Sequence, residues 1–393
     1  MIVITTKRGK SSKIKNNYLW LFSDEIKEII GDARMGIANL FSEEGEFLGK
    51  GLFNRNSKKT FRLLSHEDNK IDMEFFIWRF RKALDYRKRF YNSNVYRMIN
   101  AESDMLPGLI IDRYNDYFVI QIRHPVLEEY KSHIIDALVY TFKNSIKGIF
   151  ERSDFESSPE SNLKRNIGIL YGEIPEIIRI EENGIKYDVR LLEGQKTGFF
   201  MDQKDTRTKS VELATQFGFL KEKALDLFCY TGSFALNLAK AGMYATGIDK
   251  SSIDIETAKG NAALNELSDK TEFHVCDAFT WDNKHSNEYR MIIIDPPSLI
   301  KEKKEIPYGK RLFTSLMAKG IKMLKKPGII GLCSCAYHIG WNELEESIRR
   351  GCADTNTKVT IVSQNIQSLD HPWMMQMPES LYLKCYWAYI DKN

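Results

Sequence analysis

Apolar strands and helical segments alternate along the second half of this 393-residue chain, and that alternation restricts the fold more than any other feature. A repeated strand–helix–strand pattern is typical of a largely parallel, doubly wound sheet. We therefore predict a Rossmann-like α/β domain over residues 181–393. Its strands are predicted at Ala224–Phe228, Ala245–Asp249, Thr271–Val275, Met291–Ile294 and Ile329–Leu332, with helices that include Phe234–Ala241 and 251–266.

Two smaller regions precede this domain. Residues 1–72 contain short apolar runs separated by turn-like segments, which predicts a small β-rich domain. Residues 73–180 mix both kinds of element and predict an α+β domain. Its predicted elements are a helix at about Glu74–Tyr91, a hairpin that turns at Asn115-Asp116 and a second helix at about Leu127–Asn144.

An aspartate occurs at the end of each of the first four predicted strands of the larger domain, namely Asp226, Asp249, Asp277 and Asp295. The carboxyl ends of parallel strands form the ligand-binding edge of such sheets. A carboxylate at Asp249 suits the two hydroxyl groups of a ribose, and Asp277 could accept a hydrogen bond from an adenine amino group. The turn after the first strand has Gly232 but no GxGxxG motif, which argues against a dinucleotide cofactor. For each aspartate, the alternative is a helix N-cap that binds no ligand.

Two of these strands lead into reactive side chains. Met291–Ile294 runs into Asp295-Pro296-Pro297-Ser298, and Ile329–Leu332 runs into Cys333-Ser334-Cys335. A carboxyl group and a thiol at the same edge of a sheet indicate a single active site with a covalent nucleophile. Cys333 and Cys335 point to the same side of an extended strand, so spacing leaves either as the nucleophile. The alternative is that both cysteines are small buried apolar residues.

The order of these motifs resembles that of class I S-adenosylmethionine-dependent methyltransferases. It is most similar to the bacterial 23S ribosomal RNA cytosine-C5 methyltransferases of the large-subunit methyltransferase I type, and the resemblance covers nearly the whole chain. The matching segments are Arg97–Leu109, Leu192–Gln203, Asp226–Phe234, Asp277–Phe279, Asp295–Ser298 and Ser334–Cys335. The resemblance implies a class I methyltransferase domain over residues 181–393, a PUA-like RNA-binding barrel over residues 1–72 and S-adenosylmethionine as the cofactor.

The resemblance also implies roles for individual residues. Cys335 takes the position of the nucleophile in Ser334-Cys335-Ala336, although Ala336 replaces a serine that is often found in the family. Asp295 would lie beside the reacting base. The residues implied to contact the cofactor, from its methionine end to its adenine, are Phe200, Gln203, Asp226, Tyr230, Gly232, Asp249, Asp277 and Ala278.

The predicted reaction is the formation of 5-methylcytidine in 23S ribosomal RNA. A cysteine thiolate that adds to carbon 6 makes carbon 5 nucleophilic enough to attack a sulfonium methyl group, and Asp295 would stabilise charge on the ring. One alternative is methylation of a nitrogen of an rRNA guanine or adenine, which needs no cysteine. Enzymes of that kind often have an aromatic residue where this chain has Ser298. A second alternative is a non-catalytic RNA-binding protein on a methyltransferase scaffold.

The distribution of charge indicates the partner. The net charge is +4, and basic residues cluster within Lys7–Lys15 and within Arg79–Arg89. Each cluster is either a phosphate-binding surface or a solvated helix face. The expected partner is large-subunit ribosomal RNA, either naked or in an early assembly intermediate, and a homodimer remains open. No run approaches the ~18 apolar residues of a membrane span, and the six scattered cysteines do not suggest a disulfide scaffold, so we expect a cytoplasmic protein without a membrane partner. No CxxC motif pairs with another or with closely spaced histidines, which predicts no metal site.

Overall fold

The chain folds into two compact units. The computed structural model describes residues 1–154, 165–191, 197–281, 286–298, 300 and 302–391. The first unit comprises Met1–Ile178, Val189–Met201 and Leu369–Ser380, and the second comprises Arg179–Asp188, Asp202–Ser368 and Leu381–Asn393. Residues 192–196, the first part of the motif Leu192–Gln203, lie outside the described residues. No helix in the described part of the chain is both long and apolar enough to cross a bilayer.

The first unit begins with a six-stranded sheet, as the short apolar runs predicted. Its strands are β1 Ile2–Thr6, β2 Trp20–Leu21, β3 Ile26–Ile30, β4 Met35–Phe41, β5 Phe47–Asn54 and β6 Phe61–Ser65, with a short helix α1 at Ser11–Lys15. The spatial order is β2-β6-β5-β4-β1-β3, and only the β1–β4 pair is parallel. Alternate residues of β1 are buried, so this strand turns one face to a core that includes Leu40, Phe53 and Phe61.

A five-stranded sheet with helices completes the first unit. The elements are α2 Met73–Arg87, β7 Val95–Asn100, β8 Leu109–Tyr114, β9 Tyr117–Ile122, α3 Pro125–Glu129, α4 Lys131–Phe142, β10 Gly148–Arg152 and β11 Ile167–Gly172. The order is β11-β10-β9-β8-β7. The predicted hairpin is confirmed, because Tyr114 pairs with Tyr117 and Asn115 has a positive φ of 58°. The single helix predicted at Leu127–Asn144 is wrong in detail, since Pro125 starts a separate short helix that ends before α4.

Helix α2 corrects the prediction for the Arg79–Arg89 cluster. Asp72 caps the helix by accepting a hydrogen bond from the Phe75 amide at 3.2 Å. Arg79 and Arg87 are buried: Arg79 donates to the carbonyl of Leu64, and Arg87 forms two hydrogen bonds with Asp104, at 2.6 and 2.7 Å. These two arginines are structural and cannot contact phosphates. The exposed basic residues of the segment are Arg81, Lys82, Lys88 and Arg89.

The second unit contains the predicted doubly wound sheet. Its strands are β14 Lys223–Leu227, β15 Tyr244–Asp249, β16 Thr271–Val275, β17 Tyr289–Ile294, β18 Leu324–Ser334, β19 Thr360–Ile366 and β20 Lys384–Ile390, preceded in the chain by the hairpin β12 Ile178–Glu182 and β13 Ile185–Val189. The helices are α5 Lys204–Gln216, α6 Ser233–Ala241, α7 Ser252–Leu264, α8 Ile306–Met323 and α9 Trp341–Asp354. The order is β16-β15-β14-β17-β18-β20-β19, in which β14 to β18 are parallel and β20 is antiparallel to both neighbours.

The strand order of this sheet reverses at β14, which lies between β15 and β17. Such a reversal leaves a crevice beyond the carboxyl ends of the two central strands, because the following helices lie on opposite faces of the sheet. Leu227 of β14 pairs with Ile294 of β17, so Asp226 and Asp295 lie at the same end of adjacent strands. The fold therefore brings the predicted carboxylates to one edge.

Candidate active site

The turn between β14 and α6 has an unusual backbone. Phe228, Tyr230 and Gly232 have φ angles of 66°, 51° and 82°, in the left-handed region that side chains disfavour. Such strain is concentrated at functional sites. Glycine is required at 232, because a Cβ there would lie 2.9 Å from the Phe273 ring and 3.1 Å from Ala258 Cβ. Tyr230 is buried within the turn. The turn thus brings backbone close to the carboxyl ends of β14 and β15.

Asp226 is the most deeply buried of the predicted carboxylates, with 2% of its surface exposed. Its Oδ2 accepts a hydrogen bond from the Ala235 amide in the first turn of α6, at 3.1 Å. Its Oδ1 is buried and has no hydrogen-bond partner among the described residues. Burial raises the pKa of Asp226 well above its ordinary value, and the carboxylates of Asp295 and Asp249 raise it further. A buried acidic group of this kind is suited to a cationic ligand.

The next two aspartates accept hydrogen bonds from loop amides, but neither is the helix N-cap of the alternative interpretation, since Ser251 caps α7 and no helix follows Asp277 directly. Asp249 Oδ2 accepts from the Tyr230 amide at 3.1 Å, and its Oδ1 accepts from the Ser251 amide at 3.0 Å. Asp277 Oδ1 accepts from the Phe279 amide at 2.8 Å, while the neighbouring Ala278 is buried. A carboxylate oxygen has further lone pairs, so these hydrogen bonds leave acceptor capacity for a ribose or an amino group.

Asp295 is held by Gln203, which directly precedes α5. Gln203 Nε2 donates to Asp295 Oδ2 at 2.8 Å, and Gln203 Oε1 is buried without a partner among the described residues. This link was not foreseen from the sequence, where Gln203 was expected only to contact the cofactor. All the other predicted site residues belong to the second unit with Asp295, whereas Phe200 is a half-buried residue of the first unit.

The structure separates the two cysteines that spacing could not. Cys333 is fully buried on β18, opposite Cys385 of β20. Burial first, then the Cys385 thiol and the negative charge of Asp295, raise the pKa of Cys333 well above its ordinary value. Cys335 follows the last residue of β18 and is only half-buried. By strand geometry, Cys335 lies about 7 Å beyond Cys333 along the chain direction.

Sequence reasoning missed Lys384, the first residue of β20. Its side chain is buried, with 3% of the residue exposed, and its Nζ lies 3.5 Å from the carbonyl oxygen of Ala336. The sequence held a signal, because Lys384 interrupts the otherwise apolar run Leu381–Trp387. The sequence alone does not relate Lys384 to Cys335, because that relation depends on the antiparallel pairing of β20 with β18.

The comparisons with known proteins agree with this fold. A family described as a PUA-like domain matches residues 4–66, and one described as a methyltransferase domain matches residues 220–379. A solved structure from Streptococcus mutans, assigned as a SAM-dependent methyltransferase, shares the fold with a TM-score of 0.82, 24% identity and coverage of 99% of this chain and 100% of that chain. Another solved methyltransferase, complexed with SAH, has a TM-score of 0.83 at 24% identity and the same coverage.

The residues at the switch point fit S-adenosylmethionine. That molecule carries a sulfonium and an ammonium charge, which suit the buried Asp226 with its unpartnered Oδ1, and a ribose, which suits Asp249 at the end of β15. The predicted class I methyltransferase domain, the PUA-like N-terminal domain and the cofactor are confirmed.

Curated relatives match nearly the whole length of the chain. The ribosomal RNA large subunit methyltransferase I of Aliivibrio fischeri is 32% identical over 399 residues, which cover 98% of both chains. The protein of the same name from Vibrio parahaemolyticus is 32% identical over 390 residues, 96% of both chains. This chain therefore belongs to the ribosomal RNA large subunit methyltransferase I family.

Proposed function

We propose that this protein methylates carbon 5 of a cytosine in large-subunit ribosomal RNA, with Cys335 as a covalent nucleophile and Asp295 as the group that stabilises charge on the ring. The ribosomal RNA substrate is taken from the names of the relatives. The observation that carries the chemistry is the half-buried Cys335 at the end of β18, next to the strand whose end holds Asp295. The cofactor contacts of Phe200, Gln203, Asp226, Tyr230, Gly232, Asp249, Asp277 and Ala278 are part of this proposal.

The proposed reaction begins at the thiolate of Cys335. Its attack on carbon 6 forms a sulfur–carbon bond and moves the ring electrons towards carbon 5, and hydrogen bonding from the Asp295 carboxyl group would stabilise the charge that develops on the base. Bound S-adenosylmethionine supplies an electrophilic methyl group. Loss of the carbon-5 proton to a base then expels the thiolate and restores the aromatic ring. Gln203 supports this role of Asp295, because it holds one carboxyl oxygen at 2.8 Å.

The substrate must present an unpaired base. A cytosine in a duplex is out of reach, so the target has to lie in a loop or be flipped out. A surface of α2 and α4 in the first unit has the composition expected for contacts with RNA. Arg81 lies 5.7 Å from the Tyr140 ring and Lys82 lies 5.7 Å from the Trp78 ring, and both rings are exposed. On such a surface, the cations can bind phosphates and the exposed aromatic rings can stack with unpaired bases.

Other parts of the proposal concern the setting of the reaction. The division into domains over residues 1–72, 73–180 and 181–393, with RNA contacts by the first, stays a prediction. The same holds for a cytoplasmic location and for naked rRNA or an early assembly intermediate as the substrate. A homodimer also stays open.

The decisive experiment compares single cysteine variants on unmodified ribosomal RNA. We expect Cys335→Ala to reduce methyl transfer by at least about a thousandfold, because the covalent route is lost. Cys333→Ala and Cys352→Ala are matched controls, since both remove a thiol of the same unit, and both should retain most activity. Mass spectrometry of the nucleosides should show 5-methylcytidine, and an N-methylated guanosine or adenosine would contradict the proposal.

Trapping of the adduct gives a second readout. RNA transcribed with 5-fluorocytidine has no carbon-5 proton at its cytosines, so an adduct that has received a methyl group cannot resolve. We expect a protein–RNA complex that survives denaturing electrophoresis with the native protein and with Cys333→Ala. If Cys335→Ala forms the same complex, another residue is the nucleophile. If only Cys333→Ala fails to form the complex, Cys333 is the nucleophile.

A further inference from the structure

Lys384 is a buried cation beside the end of β18. It pairs with Ser334 across the β18–β20 ladder, and Nζ makes a long contact of 3.5 Å with the Ala336 carbonyl oxygen. No carboxylate in the described part of the chain lies within the 4 Å of an ion pair with this Nζ. An ammonium group buried without a close counter-ion is costly, so its retention requires a compensating negative charge nearby.

Two groups can supply that negative charge. Burial lowers the pKa of Lys384, and negative charge at Cys335 and then at Glu343 opposes this effect. Glu343 belongs to α9, where its Oε2 accepts from the Gly340 amide at 3.0 Å. Charge interactions are reciprocal, so an ammonium that is favoured by a thiolate at Cys335 favours that thiolate equally.

Cys333 lies only two residues away in a different electrostatic environment. It is fully buried; burial, the thiol of Cys385 and the carboxylate of Asp295 raise the pKa of Cys333, against a smaller opposing effect of a hydrogen bond with Gln203. The two thiols therefore differ in burial and in their relation to Lys384, whose ammonium group is favoured by negative charge at Cys335. The chemistry of a cysteine nucleophile depends on its thiolate fraction, which a neighbouring lysine increases.

We propose that Lys384 is a positioning residue for catalysis: its buried ammonium group stabilises the thiolate of Cys335 and thereby makes Cys335, and not Cys333, the nucleophile. This inference rests on the proposed function. A merely structural role for Lys384 would be to hold the Ala336 carbonyl. Gln in place of Lys384 keeps an N–H donor for that carbonyl without the charge, and Arg keeps the charge.

The test measures how the alkylation of Cys335 by iodoacetamide depends on pH, with peptide mass spectrometry to read this cysteine alone. In Lys384→Gln and Lys384→Met, we expect the midpoint for Cys335 to rise by about one to two pH units, so that alkylation at pH 7 slows roughly tenfold or more. Lys384→Arg should keep the midpoint within about half a unit of the native value. Lys325→Met is the matched control, because Lys325 lies on β18 and pairs with Glu222 at 2.9 Å.

Methyl transfer provides the catalytic readout. The profile of kcat against pH should shift upwards with the thiol midpoint in Lys384→Gln, with KM for the RNA little changed, and Lys384→Arg should restore it. An unchanged midpoint in a folded Lys384→Gln protein, checked by circular dichroism, would overturn the inference. A shifted midpoint with an unchanged kcat profile would instead show that Cys335 is not the nucleophile, and so would overturn the proposed function while leaving the electrostatic effect of Lys384 on Cys335 intact.

Discussion

Charged residues lie together in helix α2 of the first unit and at the strand ends of the second unit, but the structure places the two groups in different environments. In α2, Arg79 and Arg87 are buried and bonded within the protein. At the strand ends, Asp226, Asp249 and Asp295 come close enough for the last two to raise the pKa of the first. Position in a repeating topology therefore predicted which charged residues lie together, whereas local density of charge did not predict which ones are exposed.

The physical reason lies in the geometry of the two elements. Successive helical residues are turned by about 100°, so a run of basic residues on α2 is distributed around the whole helix. Residues 76, 80, 83 and 87 share one face, and all four are buried in the structure. Parallel strands, in contrast, end at one edge of the sheet whatever the direction of their side chains. A residue just after a strand is thus placed by the fold itself.

The first prediction tests the structural assignment of Arg87 and has the largest expected effect. Arg87→Met should lower the free energy of unfolding by about 3–5 kcal/mol, because the carboxylate of Asp104 would lose its ion pair and both hydrogen bonds from Arg87 and keep the one from the Asn100 amide. Arg81→Met on the exposed face is the matched control and should change stability by less than about 0.5 kcal/mol. Urea unfolding measures both. Similar losses of stability in the two variants would contradict the distinction between a buried and an exposed face of α2. The double variant Arg87→Met, Asp104→Asn should recover part of the stability that Arg87→Met loses.

A second prediction concerns the acidic edge and depends on pH. The pKa of Asp226 is raised by folding, so this carboxyl favours the folded state below its unfolded pKa of about 4 and loses that contribution as pH rises towards the folded value. Each pH unit between the two pKa values is worth about 1.4 kcal/mol. Asp226→Asn should therefore stabilise the protein without cofactor at pH 7 relative to the native chain, and much less at pH 4.

Thermal unfolding at the two pH values, with and without S-adenosylmethionine, separates stability from ligand binding. The same variant should bind the cofactor at least about tenfold more weakly, since the loss of one charge-assisted interaction has that size. Ser210→Ala, a buried neutral change in α5, is a control for general perturbation. Equal destabilisation at both pH values would contradict the prediction, because an effect that does not depend on pH cannot come from the ionisation of Asp226.

The sequence predicted the part of the site that a regular topology places, and no more. Strands β14 to β18 were recognisable because strands buried on both faces of a parallel sheet are continuous apolar runs, and β17 from Met291 to Ile294 is fully buried. Strands β19 and β20 were not predicted, and the proposed role of Lys384 depends on a partner strand 50 residues earlier in the chain. The difference in burial between Cys333 and Cys335 has the same origin, because Cys333 lies opposite Cys385 of β20 and Cys335 lies beyond the end of β18.

The smallest expected effect concerns what remains of the basic surface on α2. We expect Arg81→Gln, Lys82→Gln and Lys88→Gln together to weaken RNA binding and to lower the slope of log affinity against log salt concentration by up to about 3, roughly 1 for each phosphate contact. Filter binding to a large-subunit rRNA fragment at several salt concentrations gives this slope, and stability should not change because the three side chains are exposed.

Lys221→Gln with Lys259→Gln removes exposed charges from the second unit as a control for net charge. An unchanged slope in the α2 variant would show that the exposed face of α2 does not bind phosphates. An equal change of slope in the control would show that the effect comes from net charge. A lower slope in the α2 variant alone would show that one face of the helix holds the fold together through Arg79 and Arg87 while the other binds phosphate.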